Sequence, residues 1–360
     1  MWFIFTIVWK KVAILEPEIK KHNLNLFLIL LLISFALRLI RINQGLWYDE
    51  IHTLLRFVSQ SYKDIATSLP APNNHILYSL LAKLSIKIFG WKEWSFRLPS
   101  LLIGGITPPV LYLFFRRRLK NSIAFISSLF LALSFWPVWF SQDARGYAGF
   151  ILFSALSNIF YLSWLEHNNQ RTALWYVICS VISFYFYFYT GFIIVGQIGY
   201  GLWQFFTRQK SQKPLKYFLP LIPLIISIGL YAPGFEQLFI YFQLKAKDIA
   251  GKWLDIILLK ELITLLAGTH YLSFGICASI LFILGLYRLY KTWPGLVFLY
   301  LFPAVLLILA TWILRIFIYA RFLAFLIPFF YLGVASAIEM INDIILAKIP
   351  RLKKNYFSII

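Results

Sequence analysis

Two adjacent carboxylates, Asp49 and Glu50, close the segment GLWYDE at residues 45–50, directly after a strongly apolar stretch. The preceding Trp47 and Tyr48 are residue types that favour the boundary between membrane and water. A carboxylate at such an edge can act as a general base toward a hydroxyl or an amine. It can equally be a solvated acid at a helix end, because charges at a membrane edge often have no functional role. The pair alone leaves both interpretations open.

Three further regions place polar side chains where apolar stretches begin or end. A short turn that holds an acid and an arginine is costly to bury unless its charges are paired. A lone histidine, or an arginine at the end of a span, is more often structural than functional. The side chains concerned are Asp143, Arg145 and Tyr147 of SQDARGY (141–147), His75 of APNNHILY (71–78), Arg97 of WSFRLPS, and Arg321 with Arg315 as an accessory cation.

Carboxylates and cations gathered at one membrane face suit one type of chemistry. A carboxylate takes a proton from an acceptor, and the cations stabilise a lipid phosphate as it leaves. The carboxylates Asp49, Glu50 and Asp143 also offer the hard oxygen ligands that Mg²⁺ or Mn²⁺ prefers. Arginines alone can neutralise a single phosphate, so an essential metal is not expected, and a divalent cation at Asp49 and Asp143 stays open.

Composition defines the class of protein. The chain has 360 residues, of which 61% are hydrophobic and only 13% are charged, values typical of a polytopic membrane protein. The net charge of +20 does not predict a nucleic-acid partner, because the basic residues occur in short groups between apolar runs. Such groups are typical of loops that stay on the cytoplasmic side, next to anionic lipid.

Apolar runs of about 20 residues predict the membrane spans. The ten candidates are 24–40, 97–115, 121–140, 146–165, 172–188, 190–206, 217–232, 272–287, 295–313 and 321–340. We therefore predict one transmembrane domain, 24–340, with a cytoplasmic N-terminal segment 1–23 and a basic cytoplasmic tail 341–360. An even number of crossings places both termini in the cytoplasm, and the charge distribution agrees with this orientation.

Two outward stretches, 41–96 and 233–271, are longer than the others. In the first, ILYSLLAKLSIKIFG (76–90) has leucines at helical spacing with lysines on another face, which predicts an amphipathic helix on the outer membrane surface. In the second, WLDIILLKELITLLAG (253–268) is either a surface helix or an eleventh span. We favour the surface helix, because an odd number of crossings conflicts with the charge pattern.

The order of these motifs resembles the GT-C integral-membrane glycosyltransferases. The similarity is greatest to the bacterial branch that includes relatives of protein mannosyltransferases, aminoarabinose transferase and lipopolysaccharide galacturonosyltransferases. The matching segments are WYDEIHTLL (47–55), NNHILYSLLAKLSIKIFG (73–90), FRLPSLLIGGITPPVLYLFFRRR (96–118), QDARGY (142–147) and ARFLAFLIPFFYLGVA (320–335). Two details depart from the common pattern: Asn-Asn-His-Ile replaces His-Pro-Pro, and Arg-Gly-Tyr replaces Arg-Pro-Tyr.

The resemblance implies a GT-C-like bundle of about ten transmembrane helices in the plasma (inner) membrane. It implies a polyprenyl-phosphate-linked sugar donor, a lipid, glycan or protein acceptor, and inversion at the anomeric carbon. The implied catalytic roles are the base for Asp49, its acidic neighbour for Glu50, and for Asp143 the second acidic position, which in some relatives contributes to a divalent metal or orients the acceptor. The resemblance also implies donor-phosphate binding for His75, Arg97, Arg145 and Arg321, and sugar or acceptor binding for Trp47 and Tyr147.

Two other classes of protein share part of this pattern. A flippase or transporter of lipid-linked glycans should carry charges within its spans, whereas the distinctive charges here stand at the outer ends of spans. A polysaccharide polymerase or ligase is also a polytopic enzyme, but it typically lacks an acid pair after the first span. These two classes remain the alternatives.

Overall fold

The computed structural model describes residues 21–70, 73–207, 214–244, 256–314 and 317–348, and the regular structure of these ranges is helical. The α-helices are α1 Lys21–Leu39, α2 Tyr48–Thr53, α3 Tyr62–Thr67, α4 Ile76–Phe89, α5 Glu93–Phe115, α6 Asn121–Leu133, α7 Phe135–Gln142, α8 Tyr147–His167, α9 Gln170–Phe186, α10 Thr190–Thr207, α11 Leu221–Tyr231, α12 Phe235–Leu244, α13 Ile256–Ala267, α14 Leu272–Thr292, α15 Pro294–Ile313 and α16 Ile327–Lys348. A π-helical turn, Leu54–Val58, and the 3₁₀ segments Pro214–Phe218, Ala232–Gly234 and Ala320–Leu326 complete them.

Seven helical stretches within the described ranges are long and apolar enough to cross a membrane, and α6 with α7, bent by 55°, forms an eighth candidate. The seven are His22–Leu39, Glu93–Phe115, Tyr147–His167, Lys216–Tyr241, Leu272–Thr292, Pro294–Ile313 and Ala320–Lys348. The two other expected spans coincide with α9 and α10, which do not meet this standard of length and apolarity. The all-α polytopic class is therefore confirmed, and ten crossings remain a prediction.

Close contact between α14 and α16 depends on two glycines. A Cβ at Gly285 would lie 1.8 Å from the carbonyl oxygen of Gly333, and a Cβ at Gly333 would lie 2.3 Å from the ring of Phe282. Lipid provides little hydrophobic drive for helix association, so small residues that permit close van der Waals packing take its place. This close contact packs α14 against α16, most of whose first half is buried.

Ion pairs join three of the predicted inward connections at one end of the bundle. Lys120 lies 2.9 Å from Glu339 and 3.1 Å from Asp343, and Arg288 lies 2.9 Å from Asp343. Helix α6 begins beside Lys120, and α16 ends a few residues beyond Asp343. The connections 116–120, 288–294 and the start of 341–360 therefore share one side, as the charge pattern predicted.

The ends of the predicted domain differ slightly from the helices. Helix α1 begins at Lys21, within the predicted segment 1–23, and α16 continues to Lys348, so the start of the predicted tail 341–360 is helical. Residues 1–20 and 349–360 lie outside the described ranges. The predictions for these residues therefore stay predictions.

The first outward stretch, 41–96, folds into short helices around α4. Tyr78 and Ser85 on α4 donate hydrogen bonds to the carbonyl oxygens of Phe96 and Ser95, both at 2.6 Å, and these bonds attach α4 to α5. Leu84 and Ile88 on another face of α4 are exposed. An apolar face that the protein does not cover is the arrangement of a helix lying on a membrane surface.

Helix α13, in the second outward stretch, is the segment whose position the sequence left open. It has twelve residues and is about 18 Å long at about 1.5 Å per residue. A bilayer core is about 30 Å thick, so the described part of this helix, which begins at Ile256 directly after residues outside the described ranges, is shorter than a full span. It packs against α14, α16 and the segment Ala320–Leu326, and the surface helix stays a prediction.

A bend at Ser134 separates α6 from α7. Pro137 has no N–H to continue the helix, and its ring disfavours a helical residue four positions earlier. The carbonyl groups freed by the bend find a partner in Arg38 of α1, which donates to Leu131 and Ala132 at 3.1 Å each. The bend directs the end of α7, and the turn that follows it, toward the start of α2.

Candidate active site

The acid pair lies in the first turn of α2, where the chain folds back after α1. The backbone N–H of Trp47 donates to Oε2 of Glu50 at 3.1 Å, which is half of a capping box. The partial positive charge at a helix N-terminus also stabilises carboxylates in this turn. Glu50 faces inward and is fully buried, whereas the Asp49 side chain keeps 14% of its surface exposed.

Glu50 and Arg97 form a buried bidentate ion pair. Arg97 donates from Nε and Nη2 to the two carboxylate oxygens at 2.7 and 2.5 Å, and the backbone N–H of Ala144 donates to Glu50 at 2.8 Å. The other N–H groups of Arg97 donate to the carbonyl oxygens of Ile42, Gln44 and Gly45. Neither side chain retains a polar group that is free to bind a substrate. We therefore infer a positioning role for Glu50 and Arg97, in place of the catalytic and phosphate-binding roles suggested by the sequence.

Replacing Arg97 with Met is expected to lower the free energy of unfolding by about 3–5 kcal/mol, because it leaves a buried carboxylate without a counter-ion. The measurement is denaturant unfolding of the purified protein in detergent. The double variant Arg97→Met/Glu50→Leu removes both charges and should recover part of the loss. If both variants lose the same stability, the uncompensated charge of Glu50 is not the cause.

Asp143 follows α7 and is buried beside the same helix start. The indole Nε1–H of Trp47 donates to Oδ1 of Asp143 at 3.1 Å, while Oδ2 has no hydrogen-bond partner among the described residues. Burial raises the pKa of Asp143 to about 7, and the nearby Arg145 only partly opposes this rise. Asp143 therefore combines a fixed oxygen with a free one, and it changes charge near neutral pH.

The raised pKa of Asp143 predicts a pH-dependent stability. Between an unfolded pKa of about 4 and a folded pKa of about 7, the folded protein holds a proton that the unfolded chain has released. The stability that this proton contributes is complete below that window and is lost as the pH rises through it. The unfolding midpoint of wild type should fall more steeply from about pH 4 to about pH 7 than that of Asp143→Asn. Equal slopes would contradict the assignment.

Arg145 is a buried cation that binds only neutral groups of the protein. Its Nη1 lies 3.5 Å from the backbone oxygen of Asp49 and 3.3 Å from Oγ1 of Thr53, and its Nη2 donates to Asn73. Among the residues that the structure describes, no carboxylate forms an ion pair with it, and its Nε has no partner. A buried guanidinium without a counter-ion is stabilised when an anion binds to it.

Arg321 brings a second guanidinium to Asp49. Its Nη1 lies 3.3 Å from Oδ2 of Asp49, and its Nε is a buried atom without a partner in the described part of the chain. Within the same ranges, no side chain or backbone group donates a hydrogen bond to Oδ1 of Asp49. Asp49 is thus oriented through one oxygen and free at the other. The accessory Arg315 lies outside the described residues.

His75 caps the start of α4 and is almost completely buried. Its Nδ1 lies 2.9 Å from the carbonyl oxygen of Phe186, and its ring stacks on Tyr187 at 4.9 Å. Burial, with a contribution from the charge of Arg145, holds the pKa of His75 well below its usual range. The ring is therefore neutral at physiological pH, unlike the cation that the sequence suggested for phosphate binding.

The two aromatic residues expected at the sugar or acceptor differ in exposure. Trp47 is partly exposed, its indole N–H is committed to Asp143, and its ring meets the edge of Trp139 at 5.7 Å. Tyr147 is buried between His75 and Phe140, with centroid distances of 5.1 and 4.9 Å. Trp47 remains a candidate for contact with a sugar, whereas Tyr147 is buried among protein rings, with the Arg145 guanidinium over its own ring at 5.8 Å.

Arg38 is a structural residue of the site that sequence reasoning missed. It is buried in α1, and besides the carbonyl groups at the bend it donates to Oγ of Ser141 at 3.0 Å. Gln142 beside it donates to carbonyl groups at the end of α1. The signal in the sequence is an arginine inside an apolar span, which is costly and usually has a reason. These contacts hold the turn that carries Asp143 and Arg145.

Four of the buried polar atoms without hydrogen-bond partners in the described ranges belong to residues of this site. They are His75 Nε2, Asp143 Oδ2, Arg145 Nε and Arg321 Nε, each without a hydrogen bond from the described residues. Most buried polar atoms in folded proteins are satisfied, so a group of unsatisfied ones needs an explanation. Two of the four can only donate a hydrogen bond from a positively charged group, which points to an anionic ligand.

The donor set does not form a metal centre built by the protein. Within the described ranges, no group of three or more His, Cys, Asp or Glu side chains is placed to hold a metal ion. Glu50 is occupied by Arg97, and one oxygen of Asp49 is occupied by Arg321. A divalent cation, Mg²⁺ or Mn²⁺, at Asp49 and Asp143 therefore stays a prediction.

Comparisons with known proteins concern the family and the fold of the chain. The family model described as dolichyl-phosphate-mannose-protein mannosyltransferase matches residues 72–231. Among solved structures, the Archaeoglobus fulgidus oligosaccharyltransferase, in a complex with Zn and sulfate, superposes with a TM-score of 0.53 at 13% identity. The match covers 92% of this chain and 51% of that protein, so the chain spans about half its length. No curated protein sequence matches the chain.

These findings show a similarity to a glycosyltransferase family over residues 72–231 and a similarity of fold to the oligosaccharyltransferase. The multi-pass membrane architecture and the GT-C resemblance drawn from the motifs are thereby confirmed. The identity with the oligosaccharyltransferase is low, so that likeness concerns the fold alone.

Proposed function

We propose that the protein transfers a sugar from a polyprenyl-phosphate-linked donor to an acceptor at the outer face of the membrane. The observation that carries this proposal is an accessible carboxylate, Asp49, beside two guanidinium groups with unsatisfied N–H donors. Arg145, in particular, has only neutral ligands from the protein. A phosphodiester bound there supplies the missing negative charge and accepts the free N–H groups.

Asp49 acts as the general base of the proposed reaction. An acceptor oxygen or nitrogen forms a bond to C1 of the sugar, and its proton passes to the free Oδ1 of Asp49. The bond between C1 and the phosphate oxygen breaks, and its electron pair leaves with the polyprenyl phosphate. Direct displacement inverts the anomeric centre. General-base catalysis of this kind contributes about 10²–10⁴-fold to the rate.

Arg145 and Arg321 stabilise the leaving phosphate. The phosphate gains negative charge as the bond to C1 breaks. Fixed cations in a site that excludes water therefore stabilise the transition state more than the bound donor. Pairing with Asp49 also keeps the Arg321 guanidinium next to the reacting atoms. The proposed donor-phosphate set is therefore Arg145 and Arg321, without Arg97.

The position of the site in the bundle supports transfer at the outer face. Helix α8 runs from the site at Tyr147 to Glu166, which forms an ion pair with Arg118 next to the inward cluster around Lys120. The site and the basic connections therefore lie at opposite ends of the same helix. We propose a plasma-membrane location with both termini in the cytoplasm, and a lipid, glycan or protein acceptor.

The test is transfer of radiolabelled sugar in membranes that contain the wild-type protein. Polyprenyl-phosphate sugars and the corresponding nucleotide sugars are supplied separately with a crude envelope-glycan acceptor pool, each with and without EDTA. Transfer from the polyprenyl-phosphate donors alone supports the proposal, and the EDTA arms report any need for a divalent cation. Failure of every lipid donor, together with translocation of glycolipid across the membrane, would overturn it in favour of a flippase.

A further inference from the structure

The proton of His75 is assigned by its partner. A backbone carbonyl oxygen only accepts hydrogen bonds, so the 2.9 Å contact between His75 Nδ1 and the oxygen of Phe186 requires the proton on Nδ1. The ring is neutral, because burial and the nearby Arg145 charge lower the pKa of His75. A neutral imidazole has one proton, and Nε2 is therefore a bare acceptor.

The surroundings of His75 hold this orientation. The ring stacks on Tyr187 at 4.9 Å and meets Tyr147 edge to face at 5.1 Å. Gly146 leaves the space that the arrangement needs, since a Cβ there would lie 2.7 Å from His75 Nδ1 and 2.5 Å from the Phe186 oxygen. The glycine of the Arg-Gly-Tyr turn and the histidine of Asn-Asn-His are thus structurally linked in this chain.

The free Nε2 atom excludes a phosphate as its partner. The oxygens of a phosphodiester are hydrogen-bond acceptors, and so is Nε2. Only an O–H or N–H group can satisfy this atom, which is buried and has no partner among the described residues. His75 is also close enough to Arg145 and Arg321 for both charges to act on it. In a donor whose phosphate lies at these arginines, the groups next to the phosphate are the sugar and the polyprenyl chain, and only the sugar carries hydroxyl groups.

We infer that His75 accepts a hydrogen bond from one hydroxyl group of the donor sugar, and that it is a specificity-determining residue for the sugar. This inference rests on the proposed function and deepens it. It assigns His75 to the sugar instead of the phosphate. A site built to pair with a hydroxyl discriminates against an analogue that lacks it, because the buried acceptor is then left unpaired.

Two conservative variants distinguish the contribution of Nδ1 from that of Nε2. In His75→Asn, the side-chain amide N–H can replace Nδ1–H toward Phe186, and the Nε2 acceptor is lost. In His75→Gln, the longer side chain returns an amide oxygen near the position of Nε2. Arg145→Gln is the matched control for the phosphate. Thermal unfolding in detergent verifies that each variant is folded.

The measurement is binding by calorimetry in detergent, which needs no turnover. The probes are decyl phosphate, a panel of decyl-phosphate hexosides, and the monodeoxy analogues of the hexoside that binds best. We expect His75→Asn to weaken binding of that hexoside about tenfold and to leave binding of decyl phosphate unchanged. His75→Gln should recover part of the loss, and Arg145→Gln should weaken both probes. One monodeoxy analogue should bind wild type about tenfold less tightly and His75→Asn with no further loss.

Three results would overturn the inference. If His75→Asn loses as much affinity for decyl phosphate as for the hexoside, His75 contacts the phosphate and not the sugar. If His75→Asn binds all probes as wild type does, Nε2 contacts only a structural water. If wild type binds every hexoside no better than decyl phosphate, the protein makes no favourable contact with the sugar. Failure of the proposed function is distinguished by the transfer assay, in which no lipid donor would support transfer by the wild-type protein.

Discussion

Replacing Asp49 with Asn is expected to lower the rate of sugar transfer by about 10²–10⁴-fold, because an amide cannot take the proton of the acceptor. Asn has nearly the same shape as Asp, and its amide oxygen can still accept the hydrogen bond that Arg321 donates to Oδ2 at 3.3 Å. The fold and the binding of the lipid donor should therefore change little. The measurement is the initial rate of transfer in membranes, normalised to the amount of protein.

Asp64→Asn is the matched control for this substitution. Asp64 lies on α3 in the same outward stretch, and it is exposed and bonded to Ser61 at 2.7 Å. Exposed substitutions of this kind usually have small effects, so transfer should stay within about twofold of wild type. If Asp49→Asn retains transfer at the level of Asp64→Asn, Asp49 is not the base.

The helical fold was predictable because lipid restricts the backbone. An apolar run in a bilayer satisfies its N–H and C=O groups internally, and a helix is the simplest way to do so. Composition and run length therefore located the spans, and helical spacing located α4 at Ile76–Phe89 within the predicted 76–90. The bend at Ser134 was not predicted, because it depends on Pro137 together with distant partners that the run length does not report.

The division of roles within GLWYDE needed the structure. Successive residues of an α-helix point about 100° apart, since a turn has about 3.6 residues, so Asp49 and Glu50 cannot face the same cavity equally. Which of them faces inward depends on Arg97, which is 47 positions from Glu50 along the chain. The sequence showed two acids, and only the fold assigns one to the ion pair and leaves the other accessible.

The roles of Arg38 and His75 could not be predicted from the sequence either. Arg38 stands near the end of a predicted span, where an arginine ordinarily extends to the interface, but its guanidinium binds carbonyl groups more than 90 positions away at a bend. The tautomer of His75 depends on the carbonyl group of Phe186, 111 positions along the chain. Residue types indicated that these groups were unusual, whereas their chemistry is set by long-range partners.

Arg145→Gln is expected to lower the transfer rate by about 10²–10³-fold, the effect typical of removing one group that stabilises the developing charge. Stability should respond differently. The substitution removes a buried charge that has no counter-ion within the described ranges, and the relief of its desolvation offsets the lost hydrogen bonds. The unfolding midpoint of the donor-free protein should therefore change little. Decyl phosphate should raise the midpoint of wild type and leave that of Arg145→Gln unchanged.

Arg38→Gln is the matched control for Arg145→Gln. Arg38 is equally buried and also lacks a carboxylate partner in the described chain, but its guanidinium satisfies three carbonyl groups and Ser141. Losing these bonds leaves helix-end carbonyls unpaired, at a cost of about 1–3 kcal/mol, so Arg38→Gln should unfold at a lower temperature and still respond to decyl phosphate. If Arg145→Gln is destabilised as much as Arg38→Gln and keeps its response to decyl phosphate, Arg145 is a structural arginine, and the phosphate must bind elsewhere.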